Sequence, residues 1–166
     1  MVRLEALLDS WKSIRQDTAQ AWLDMPATES AFRPTPEMMA YRDLAVHILN
    51  ASHAMTMMLL AGEVDFSAPG FRERMRSHFL DATVWDAAQL AGQFESVLAA
   101  DARRLAQAAP EFWAQMMTRF DGTAVTRLEM LQYAKEHELT HRSQMFMYLR
   151  LKGVVPPTTR RRMATK

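Results

Sequence analysis

Apolar residues recur at three- and four-residue spacing along four long stretches of this chain, and no stretch alternates convincingly with a period of two. The first stretch covers residues 3–24, where Leu4, Leu7, Leu8, Trp11, Ile14, Ala19 and Trp22 mark one helical face. Pro26 ends it, and Pro34-Thr35-Pro36 marks a connection. Thr35-Pro36-Glu37 then reads as a helix start, with a capping hydroxyl, a proline at the first helical position and an acid in the first turn. That second helix is expected to reach about Ala61, where Gly62 stops it. Leu44, His47, Ile48, Ala51, Met55, Met58 and Leu59 form its inward stripe.

Residues 63–81 are less regular, with a break at Pro69-Gly70 and a short helix expected over 71–80. The Ala-rich stretch 83–108 predicts a third long helix that buries Trp85, Leu90, Phe94, Val97, Leu98 and Leu105. Residues 110–122 read as a connection that turns at Asp121-Gly122. Thr126-x-x-Glu129 is a capping box ahead of a last helix running to Lys152, with Gly153 and Pro156-Pro157 as its stop. Its stripe is Met130, Ala134, His137, His141, Met145 and Tyr148. Four long amphipathic helices predict an all-α four-helix bundle, one domain over 1–157. Residues 158–166 are expected to be a flexible basic tail.

Composition narrows the function classes. The chain has 166 residues and no cysteine. That removes disulfides, thiolate-held zinc, iron–sulfur clusters and a cysteine nucleophile, and it fits a reducing cytoplasm. No apolar run approaches the roughly 18–20 residues of a membrane span. The charged, amphipathic start Met1–Asp9 does not read as a signal peptide. Formal net charge is +1, which points to no nucleic-acid partner, although the last seven residues hold four of the 20 basic groups and no acid. The 14 methionines suit adaptable packing in a core or an interface.

The chemistry concentrates in His137-Glu138-Leu139-Thr140-His141. Histidines four residues apart share a helix face, with Cβ atoms about 5–6 Å apart, so both imidazoles can grip one ion. His47, on the inward stripe of the second helix, can join them if those two helices are neighbours. His53 lies about 240° round the helix from His47 and His78 falls in the irregular segment, so both read as surface or packing residues. The spelling H-E-x-x-H suggests a zinc protease, but no Asp, Glu or His follows His141 to complete such a site. A di-iron carboxylate site fails because there is no second E-x-x-H. A bis-histidine haem would leave one histidine over. Glu138 lies about 60° from His141 and 100° from His137 on the helical wheel, a candidate general base, orienting partner of the site or solvated helix acid. Gln144, Tyr133 and Arg142 are candidates to orient a ligand, to line the cavity and to pair with an anionic substrate or a helix-end carboxylate.

Two segments resemble the DinB/YfiT-like superfamily of metal-dependent enzymes. One is Asp43-Leu44-Ala45-Val46-His47-Ile48. The other is His137-Glu138-Leu139-Thr140-His141-Arg142-Ser143-Gln144, continuing through Tyr148-Leu149-Arg150 to Gly153 and Pro156-Pro157. The family pattern usually has glycine at the position of Ser143, which is still small. The resemblance implies an up-down-down-up bundle, often dimeric, that holds one divalent metal, zinc or nickel, on His47, His137 and His141. It also implies thiol-dependent transferases or isomerases that use low-molecular-weight thiols such as bacillithiol or mycothiol. Here that thiol must be external, since the chain has no cysteine. Alternatively, a metal-activated water would make a hydrolase of a small-molecule substrate. A non-catalytic metal-binding or dimerisation module is the competing class.

Overall fold

The computed structural model describes residues 3–165. In chain order the elements are α1 (Leu4–Asp24), α2 (Tyr41–Leu60), α3 (Phe71–Arg76), α4 (Ala87–Leu105), α5 (Pro110–Ala114), β1 (Met116–Thr118), β2 (Ala124–Thr126), α6 (Arg127–Leu151) and α7 (Pro157–Ala164). The bonds between the four long helices give their directions. Arg15 reaches the Phe94 carbonyl and Trp22 that of Ala87, so α1 and α4 are antiparallel. Trp11 meets Glu138 and Asp17 meets Arg142, so α1 and α6 are parallel. His53 meets Asp101 and Arg42 meets the Trp85 carbonyl, so α2 and α4 are parallel. His47 meets His137 and the Leu59 carbonyl meets Arg127, so α2 and α6 are antiparallel. The bundle is therefore up-down-down-up. The parallel α2–α4 pair forces the chain back along roughly 30 Å of helix, which is why residues 61–86 form a long crossover carrying α3.

Two apolar clusters fill the bundle. One gathers Trp11, Met58, Leu59, Trp113 and Met130, and the other Trp22, Tyr41, Ile48, Phe94 and Tyr148. Between them Arg15, 1% exposed, and Glu138, fully buried, form a polar layer. Arg15 takes the inward position on α1 that the pattern gave to Ile14, which is only half-buried.

Local structure departs from the sequence pattern in four places. The helix expected from Thr35 starts at Tyr41. Residues 35–38 close a lone turn through Met38 N–H to the Thr35 carbonyl, and the first α2 amides are satisfied by the Phe32 and Ser30 carbonyls at 2.9 Å. With those donors paired, α2 needs no capping hydroxyl. The third long helix is shorter than 83–108 because Asp86 and Gln89 form a capping box that sets its start. The connection 110–122 contains α5, and β1 pairs antiparallel with β2 across the Asp121-Gly122 turn, where Gly122 has φ +83°. Finally, the basic tail is helical. Pro157 opens α7, Arg160 reaches Asp24 at 2.8 and 3.1 Å, and Arg161 reaches Asp17 at 2.6 and 3.1 Å. The segment beyond 157, expected to hang free, is strapped to α1; Lys166 lies outside the described residues.

The start of α6 is secured twice. Thr126 and Glu129 form the predicted capping box. Buried Arg127 donates to the Leu59 and Gly62 carbonyls at 2.9 and 3.1 Å. A guanidinium there satisfies carbonyls left over at the end of α2 and complements its negative dipole end.

Candidate metal centre

Antiparallel packing of α2 on α6 puts His47 opposite the histidine pair. The Nε2 atoms of His47 and His137 are 3.3 Å apart, and those of His141 and His137 are 3.1 Å apart. One ring nitrogen from each histidine lies within 4.8 Å of the other two. All three rings are half-buried. Burial, with His141 and His47 beside it, pushes His137 down to about 4, and burial with His141 beside it also lowers His47. Both rings are therefore neutral near pH 7, the form that offers a lone pair.

The set fits a divalent ion. Ligand atoms bound tetrahedrally at roughly 2.0–2.1 Å would stand about 3.3–3.4 Å from one another, close to the 3.3 and 3.1 Å of the two pairs that include His137. Three converging nitrogens with no oxygen among them suit a transition-metal ion and not calcium or magnesium. His141 Nδ1–H donates to Gln144 Oε1 at 2.7 Å, which turns the Nε2 lone pair toward the other two rings. His137 Nδ1 is buried and has no hydrogen-bond partner among the described residues.

The remaining predicted site residues lie elsewhere. Glu138 is not a solvated acid and does not face the histidines. It is fully buried, and its carboxylate accepts from Trp11 Nε1 at 2.5 Å and from Arg15 Nε and Nη2 at 2.8 Å each. A general base needs a lone pair free to take a proton from substrate, and these surroundings leave none facing the centre. Arg142 lies over the Phe146 ring and donates to Asp17 at 3.3 Å, so it braces α6 on α1 instead of meeting an anionic substrate. Tyr133 stacks edge-on to Phe120 at 5.1 Å with Arg119 over its face, so it belongs to the aromatic contacts of the hairpin. His53 sits 2.8 Å from Oδ2 of buried Asp101, away from the centre, and His78 is half-buried after α3.

Sequence reasoning missed Arg15, Thr18 and Ser52. The signal was present: Trp11, Arg15, Thr18 and Trp22 recur at helical spacing, which places a charge on an apolar face. Its partner, 123 positions away on α6, could not be read from that spacing.

A model of the DinB family matches residues 1–165. The chain belongs to the DinB family. Two solved DinB-like structures share its fold. YjoA of Bacillus subtilis aligns with a TM-score of 0.68 at 21% identity, over 89% of this chain and 92% of that one. A DinB-like protein of Bacillus cereus aligns with a TM-score of 0.68 at 18% identity, over 92% and 95%. A mycothiol-dependent maleylpyruvate isomerase is also similar in fold, with a TM-score of 0.62 at 14% identity, over 87% of this chain and 61% of that one. A search of curated protein sequences finds no match. Among the described residues of this DinB-family chain, no helix is long and apolar enough to cross a membrane.

Proposed function

We propose that this DinB-family protein binds one divalent metal ion, zinc or nickel, through His47, His137 and His141. We further propose that it is an enzyme acting on a small molecule, of the thiol S-transferase/isomerase or hydrolase type. The convergence of three ring nitrogens, with His137 Nε2 3.3 Å from that of His47 and 3.1 Å from that of His141, carries the reading. When bound, the ion supplies a Lewis acid with an open position that favours the thiolate or hydroxide form of what enters it. The protein's own part is to keep His47 and His137 neutral by burial and to fix the tautomer of His141 through Gln144. The thiol, where one is used, comes from outside, since the chain has no cysteine. The fold shared with a mycothiol-dependent isomerase supports a low-molecular-weight thiol as cosubstrate. A homodimer belongs to the same proposal. Met147 and Leu151, more than half exposed and four residues apart on α6, offer an apolar stripe for a second copy.

Metal analysis of the wild type and of His47→Ala and His141→Ala tests the centre. The expected result is about one ion per chain, lost in both variants; unchanged metal content in both sinks the site. Assays of the loaded protein with mycothiol or bacillithiol and a model electrophile, and with ester and amide substrates, then test the chemistry. Loaded protein that is silent in all of them is a non-catalytic metal-binding module.

A further inference from the structure

We infer that Glu138 and Arg15 are a positioning pair for the three histidines, so that the glutamate of the H-E-x-x-H string is a strut and not a base. The inference rests on the metal reading above. Glu138 directly follows His137, and the two side chains leave α6 about 100° apart. The imidazole faces the α2–α6 seam and the carboxylate faces the bundle centre. There Arg15 Nε holds Oε1 and Arg15 Nη2 holds Oε2, both at 2.8 Å. Trp11 Nε1 donates to Oε2, and Thr18 Oγ1 stands 3.1 Å from Oε1.

The same guanidinium reaches α2 and α4. Nη2 donates to Ser52 Oγ at 2.7 Å and Nη1 to the Phe94 carbonyl at 3.0 Å. Ser52 lies five residues after His47, about 140° round the helix. One side chain of α1 therefore holds α6 from behind His137 and α2 from behind His47. The gap between those helices and the rotation of α6 decide whether three nitrogens stand at ligand spacing or drift apart.

Cobalt(II) titration tests this, with visible absorption as the readout and circular dichroism as the check on folding. The variants are Glu138→Gln, Glu138→Asp and the double change Arg15→Met/Glu138→Leu. In Glu138→Gln the amide turns a donor toward the donors of Arg15 and Trp11, so α6 shifts. Cobalt affinity is expected to fall about tenfold or more and the bands to change. Glu138→Asp, which keeps the charge, recovers part of both. If Glu138→Gln does not fold, the double change carries the test, because removing both charges together spares the fold an unpaired ion. A folded Glu138→Gln or double variant that binds cobalt within about twofold of wild type, with unchanged bands, overturns the inference. So does normal cobalt loading combined with loss of turnover, which would make Glu138 the base. A wild type that binds no cobalt instead removes the metal reading itself and this inference with it.

Discussion

Each of the three histidines does a different job in its own surroundings. His141 is oriented by Gln144, His137 is the ring that both others approach, and His47 is delivered by the opposite helix. The spacing of His137 and His141, and the place of His47 on an apolar stripe, made this meeting legible from sequence, because helix periodicity alone dictates it. The surroundings of Glu138 were not legible, since its partners on α1 are 120 to 127 positions distant. One prediction belongs at this scale. His137 sits at about 4 in the folded protein against an ordinary value of 6.5, so the unfolded chain binds the extra proton between those values. Stability of the metal-free protein should hold above about pH 7 and decline as pH falls toward about 4. Urea midpoints at about pH 7 and about pH 5 measure this, and His137→Gln should flatten the difference. An equal slope in that variant would assign the acid sensitivity to other groups.

Elements began where amides found partners, and that decided which boundaries could be read. The start of α6 was readable because Thr126 and Glu129 are three residues apart and satisfy each other. Thr126→Ala should lower stability by about 1 kcal/mol, seen as a shift in the urea midpoint. The start of α2 was not readable, since carbonyls of Ser30 and Phe32 take the place of a cap. The hairpin escaped notice because each strand has three residues, too few to show alternation. The strap formed by α7 yields a ranked expectation. Asp17 is buried and serves both Arg142 and Arg161, whereas the Arg161 side chain is 63% exposed. Asp17→Ala, which strands the half-buried Arg142, should cost about 1–3 kcal/mol. Arg161→Ala should cost about 0.2–1 kcal/mol. Paired denaturation curves check the order, and the reverse order would mean that Arg142 finds another partner.

At the scale of the whole molecule, the three histidines come from two helices that are already neighbours, so an ion held by them would act as a cross-link. Free zinc at about a hundredfold above its dissociation constant should stabilise the protein by about 2.7 kcal/mol, read as a rise in melting temperature that His47→Ala abolishes. The up-down-down-up order also bears on how the chain comes to be folded. Arg15 and Asp17 lie on the first helix, yet the carboxylate that meets Arg15 is made 123 residues later and the guanidinium of Arg161 144 residues after Asp17. While the ribosome is still building α2 and α4, α1 carries a cation and an anion destined for the interior with no mates to neutralise them. Burying either ion alone is costly, so α1 has to stay solvated until α6 brings Glu138 to Arg15 and Arg142 to Asp17. The bundle should therefore close late, once its last long helix has been made.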